Sequence, residues 1–205
     1  MRDQASAHKP QPSPPAWGLP RVGALATSAR MKLLCAALFA SLALTLATHA
    51  AGPETFKVSE FSFKRPASWE WVEVQSQMRK AQLKVTAKEA KEPGEVVFFF
   101  FGPQSGGTKA NVDRWLGQFE EGRDKINARI EEKKVGKAVV TYVSAEGTYK
   151  SGMPGAPPTP KPGFALLGAI VEGQEGSVFV RLTGPATLAK GARAEFEKMI
   201  ESGLK

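Results

Sequence analysis

Apolar and polar side chains alternate at period two over residues 56–63 (FKVSEFSF) and 69–74 (WEWVEV), on either side of a turn at 64–68 (KRPAS) where Pro66 offers no ladder donor. Such alternation marks a strand with one wet face, because successive side chains leave a strand on opposite sides. Residues 81–87 (AQLKVTA) alternate too, and Glu92, Pro93 and Gly94 turn the chain into residues 95–102 (EVVFFFFG). There the alternation stops: Val96, Val97 and four phenylalanines follow one another without a polar residue. A strand of that composition is covered on both sides, with Phe98 and Phe100 toward one layer and Phe99 and Phe101 toward the other, which makes it a central strand.

Further on the period changes. Val112, Trp115, Leu116 and Phe119 stand at i, i+3, i+4 and i+7 and predict an amphipathic helix over 108–122, ending at a glycine. Residues 138–149 (AVVTYVSAEGTY) return to strand character, and 164–172 (FALLGAIVE) with 177–183 (SVFVRLT) predict a hairpin across 173–176. After Gly184 and Pro185, helical spacing of Leu188, Ala192, Phe196, Met199 and Ile200 predicts a second helix over 187–202. Between the fifth and sixth strands, 151–163 (SGMPGAPPTPKPG) holds five prolines and three glycines and predicts an exposed extended loop that neither pairs nor coils. The order β, β, β, β, α, β, β, β, α predicts an α+β fold: an antiparallel sheet of about six to seven strands with helices on both faces, a three-layer sandwich.

The apolar run at 33–47 (LLCAALFASLALTLA) follows Met31 and Lys32 and precedes Thr48, His49 and Ala50. It is shorter than the roughly 20 residues a spanning helix needs, and it predicts a secretory signal peptide over 31–50, cleaved after Ala50, with a single domain over 51–205. Residues 1–30, with five prolines and no apolar period, predict disorder or a chain start assigned upstream of the true one at Met31. The expected location is secreted or periplasmic, with no membrane span after cleavage. Cleavage changes the chemistry, because His8, His49 and Cys35 all leave with the leader and the net charge falls from +8 to +4, with 23 basic against 19 acidic side chains. A domain without histidine or cysteine excludes a Ser-His-Asp triad, a Cys-His pair and the common zinc and copper sites, so no metal or cofactor is expected. Nucleic acid is not an expected partner: Lys133, Lys134 and Lys137 stand beside Glu131 and Glu132, and the overall charge is modest.

The opening FSFKRPASWEW, the ending GSVFVRLTGP with its following helix carrying Phe196 and Met199, and the element order between them resemble the PsbP-like fold. That fold is shared by photosystem extrinsic subunits, a Ran-binding nuclear import factor and many small secreted bacterial proteins. The resemblance spans residues 55–204 and implies the same α+β sandwich. It implies no ligand role, since contacts that use histidine in better-known members have no counterpart in 51–205.

Candidate chemistry is sparse. Asp113, Asp124, Glu120 and Glu121 supply carboxylates whose plain reading is solvated helix charge. The segment 102–109 (GPQSGGTK) lacks phosphate-loop spacing and reads as a tight turn with Thr108 as helix N-cap, a terminus at which an anion is physically possible. The sharpest polar feature is a strip on the first helix, Asn111, Arg114 and Gln118 at i, i+3 and i+7. Amide and guanidinium groups so placed suit planar polar recognition, and Arg114 can grip a carboxylate or phosphate through two hydrogen bonds. In the plainer reading Asn111 and Gln118 satisfy nearby loop backbone and Arg114 pairs with an acid. Trp69, Trp71 and Trp115 read as core or core edge. The expected function is a secreted, non-enzymatic binding or assembly module whose rim, formed by the first helix and the 151–163 loop, holds an envelope protein or a small polar ligand. A carboxylate-dependent envelope enzyme and an accessory subunit of an envelope complex are the alternatives.

Overall fold

The structure, a computed structural model, describes residues 52–152 and 157–205. The leader over 1–50 and residues 153–156 of the proline-rich segment lie outside the described residues. In chain order the elements are β1 (Thr55–Val58), β2 (Phe61–Lys64), β3 (Glu70–Trp71), β4 (Arg79–Val85), β5 (Gly94–Phe100), a 3-10 turn (Gly102–Gln104), α1 (Gly107–Leu116), β6 (Arg129–Val135), β7 (Ala138–Ser151), β8 (Thr159–Val171), β9 (Val178–Pro185) and α2 (Ala186–Ser202).

The phenylalanine run forms β5, and its neighbours explain its composition. Seven antiparallel strands pair in the order β3-β4-β5-β9-β8-β7-β6, so β5 lies inside the sheet between β4 and β9, while β9 is the middle strand. On one face Val96 and Phe98 join Leu83, Val180 and Leu182 beneath α2, which contributes Leu188, Phe196, Met199 and Ile200. The β1–β2 hairpin extends that layer: Phe98, fully buried, meets the rings of Phe56 at 4.9 Å and Phe63 at 5.0 Å. On the other face Phe99 and Phe179 join Leu166 and Ile170 beneath Val112, Trp115 and Leu116 of α1. The predicted α+β sandwich with helices on both faces is the observed architecture, and each ring of the run takes the expected side.

Several elements differ from expectation. Residues 56–63 are not one strand but a hairpin in which Val58 pairs with Phe61 across Ser59 and Glu60, with Ser59 at φ 52°. The apolar positions pass from even (56, 58) to odd (61, 63), and this phase break is the turn. The strand expected over 69–74 shrinks to Glu70–Trp71 at the sheet edge. A strand the apolar pattern does not reveal, β6 (RIEEKKV), forms the opposite edge; its side chains are nearly all exposed, and charge there blunts a free edge against further pairing.

Part of the proline-rich segment pairs after all. Thr159, Pro160 and Lys161 stand opposite Ser151, Lys150 and Tyr149 in a ribbon that runs beyond the rest of the sheet. Pairing of β8 with β9 begins only at Phe164, so a proline at 160 or 162 has a neighbour on one side alone and can leave its missing N–H on the free side. α1 ends at Leu116 rather than at 122, because the chain beyond it pairs with β7 through a Phe119–Tyr149 bridge. Its N-cap is Gly106, at φ 85°, and Thr108 lies inside the first turn, where its hydroxyl donates to Glu172 at 2.8 Å. Trp69 and Trp115 are buried and Trp71 packs at the core edge, as expected. Among the described residues no helix is long and apolar enough to cross a membrane.

Candidate functional site

α1 covers only part of its face of the sheet. Its apolar residues pack over β7, β8 and β9, and the neighbouring stretch of β4 and β5 carries polar groups instead. There Glu95 Oε1 accepts from Arg79 Nη1 at 2.6 Å and from Gln82 Nε2 at 2.9 Å, while Arg79 Nη1 also donates to Gln82 Oε1 at 2.7 Å. The three side chains close a triangle about one third exposed at its ion pair. Strand parity put them together: Gln82 pairs with Val97, and Glu95 stands two residues before it on the same side of β5.

A second cluster lies between α1 and β9. Gln118 Oε1 accepts from Tyr149 Oη and from Arg181 Nη1, both at 2.8 Å. The position of Gln118 is fixed by its own backbone, since Lys150 N–H donates to Gln118 O at 2.7 Å and Glu120 N–H to Thr148 O at 2.9 Å. Burial pushes the Tyr149 phenol above its ordinary pKa; Arg181 opposes that rise and Glu95 adds to it. The phenol therefore stays a donor at neutral pH. The Arg181 guanidinium lies 5.9 Å from the centre of the Phe99 ring, and its shielded Nε finds no partner among the described residues. An aromatic chain runs outward from the helix core here, from Trp115 to Phe179 (6.4 Å), on to Phe101 (6.2 Å) and to Phe99 stacked beside it (6.0 Å). Phe101 is 43 % exposed.

The predicted strip divides. Asn111, only 1 % exposed, donates through Nδ2 to Ser105 O (2.9 Å) and Gly107 O (2.7 Å), and its Oδ1 accepts from Arg114 Nη2. Asn111 thereby holds the turn around Gly106 and Gly107, both at positive φ, onto the helix. Arg114 is exposed and bonded to Asn111 rather than to an acid, while Gln118 belongs to the Tyr149–Arg181 cluster beyond the helix end. Arg79, Gln82, Glu95, Tyr149 and Arg181 were not singled out in the sequence. A polar residue at an inward position of a strand, such as Arg181 in SVFVRLT, was the available signal.

Of the four candidate carboxylates, Asp113 and Glu121 line one open groove at the end of α1, and each is held by its own donors. Asp113 accepts from Lys109 (2.7 Å) and Arg123 (2.9 Å), and Glu121 accepts from the Thr148 N–H. The Lys109 hydrogen bond, with help from Arg123, holds Asp113 below the ordinary carboxylate range, and Thr148 does the same for Glu121. Glu120 and Asp124 are exposed.

Fold and surface together define an α+β sandwich that presents a hydrogen-bonded polar network beside partly exposed aromatic rings. No family model matches the chain, and no curated protein does. Among solved structures it is similar to cyanobacterial PsbP (CyanoP) from Synechocystis sp. PCC 6803, at 11 % identity and a TM-score of 0.45 over 77 % of this chain and 96 % of that one. It is also similar to PA94 from Pseudomonas aeruginosa, described as a protein of unknown function and candidate regulator, at 11 % identity and a TM-score of 0.38 over 72 % and 93 %. Likeness at this level assigns no ligand, partner or activity.

Proposed function

We propose that the chain is a non-enzymatic binding or assembly module of the cell envelope, secreted or periplasmic, whose partner is a protein docking on the part of the sheet face beside α1. The carrying observation is the exposed Phe101, stacked on Phe99 next to Arg181, whose Nε has no partner among the described residues. Aromatic rings and guanidinium groups are the side chains enriched at protein–protein contacts. Arg114 contributes an exposed cation on the adjoining helix. A carboxylate-dependent enzyme draws less support, because Asp113 and Glu121, which share one opening, are each engaged with donors that keep them ionised, so neither is held as a general acid.

Cross-linking capture from the native envelope tests the reading, using the wild-type protein and a Phe101→Ser/Arg114→Ala variant side by side. The reading expects a partner recovered with the wild type and lost with the variant, with both proteins folded by circular dichroism at the capture temperature. Equal recovery by both proteins, or recovery of nothing by the wild type, overturns it.

A further inference from the structure

The opposite face of the sheet holds a separate groove. α2 packs chiefly on β8, β9 and β2, which leaves the face of β6 and β7 less closely covered. Toward the C-terminal end of α2 the gap is bridged: Lys133 on β6 reaches Glu201 at 2.6 Å, and Tyr142 packs against the core there. Toward the N-terminal end it stays open as a groove of about 480 Å³, within the size range of small-molecule sites.

The sequence shapes this opening in two ways. Ala186, Ala189, Lys190 and Arg193 line it from α2 at i, i+3, i+4 and i+7, so the helix offers two small residues and then two cations. Across from them, strand register sets Arg129, Ser144 and Leu167 side by side on β6, β7 and β8. Three cations thus face one lining carboxylate, Glu146. Among the described residues neither Arg129 nor Lys190 has an ion-pair partner, and Arg193 has only Glu197 at 3.6 Å. A small adjoining cleft shares Leu167 and Arg193 and is lined by Tyr142, whose shielded hydroxyl finds no acceptor among the described residues. Burial, and then the carboxylates of Glu201 and Glu197, push that phenol far above its ordinary pKa, so it keeps its proton and has it to donate. Two cations unpaired among the described residues and a third shared with Glu197, above a narrow floor of Leu167 and alanine side chains, suit an anionic head on a short apolar body.

We propose that this groove binds a small amphiphilic anion, its carboxylate, sulfonate or phosphate held by Arg129, Lys190 and Arg193 and its apolar part lying along Leu167 and Ala189. The site is independent of the Phe101 surface and lies on the other face of the sheet.

Isothermal titration of the purified full chain with octanoate, 1-octanol and inorganic phosphate tests it. Octanoate is expected to bind, with the alcohol and the bare phosphate each at least about tenfold weaker, since one lacks the charge and the other the apolar body. Arg129→Glu and Lys190→Glu, both at exposed positions, should each weaken octanoate about tenfold or more without lowering the melting temperature. The Phe101→Ser/Arg114→Ala variant should bind octanoate as the wild type does, which separates failure here from failure of the docking surface. Absence of octanoate binding, equal binding of 1-octanol, equal binding of phosphate, or indifference to both charge reversals would each overturn the proposal.

Discussion

Replacing Asn111 by alanine separates scaffold from site on α1. The change removes the donations from Nδ2 to Ser105 O and Gly107 O, at 2.9 and 2.7 Å, in a position that is 1 % exposed. Each such bond contributes about 0.5–1.5 kcal/mol net, with more lost where a carbonyl is left buried without a partner. Alanine returns about 0.7 kcal/mol at most through its higher helix propensity. The net loss is about 2 kcal/mol, which for a domain of roughly 150 residues lowers the melting temperature by about 4–8 °C. Asn111→Asp should be worse, because an acceptor-only carboxylate would face two carbonyl oxygens in a desolvated position. Thermal unfolding followed by circular dichroism reads both. Arg114→Ala removes only the donation to Asn111 Oδ1 and leaves both bonds to the turn in place, so it should lower the midpoint by less than Asn111→Ala does. An Asn111→Ala protein as stable as the wild type, or an Asn111→Asp protein more stable than Asn111→Ala, would refute the reasoning that Asn111 belongs to the scaffold.

Gln118→Leu leaves Tyr149 Oη and Arg181 Nη1 without their acceptor and should cost about 1–3 kcal/mol in urea unfolding, with a native fold by circular dichroism. A Cβ at Gly168 would lie 2.3 Å from Trp115 Cζ3, so Gly168→Ala should destabilise by about 1–3 kcal/mol and shift tryptophan emission as the ring is displaced. The folded-state pKa of Glu121 lies below its unfolded value, so its contribution is complete above the ordinary carboxylate range and is lost as pH falls through the folded value. Denaturant midpoints measured down the acid range should fall less steeply in Glu121→Gln than in the wild type. Lys133 has the opposite sign: hydrogen bonding to Glu201 raises it, so its contribution is present below its ordinary value and lost as pH rises beyond the folded one, and Lys133→Met should flatten the alkaline limb.

The fold was largely legible because hydrophobic period reports burial directly. The unbroken run Val96 to Phe101 demanded cover on both sides of one strand, and α1 and α2 supply it. Period failed where burial was not the organising force. Strand β6 is charged along most of its length and so carries no apolar signal, although backbone pairing with β7 holds it in the sheet. Pro160 reads as a breaker, yet β9 does not reach its position, and this exemption depends on where a third strand ends. The candidate site was less legible. Gly106 and Gly107 announced a turn before α1, but not that Asn111 would be drawn into holding it.

By itself, then, the sequence determined most of the apolar core, the central strand and the two helices, and that residues 51–205 hold neither histidine nor cysteine. Tertiary structure alone decided which polar residues meet. Gln118 and Arg181 are 63 positions apart, and Arg129 and Lys190 face one groove from a strand and a helix that no local pattern relates. Burial follows from each residue's own chemistry and its neighbours along the chain. Convergence follows from register and from where a helix happens to stop covering a sheet, and those are fixed only when the layers close.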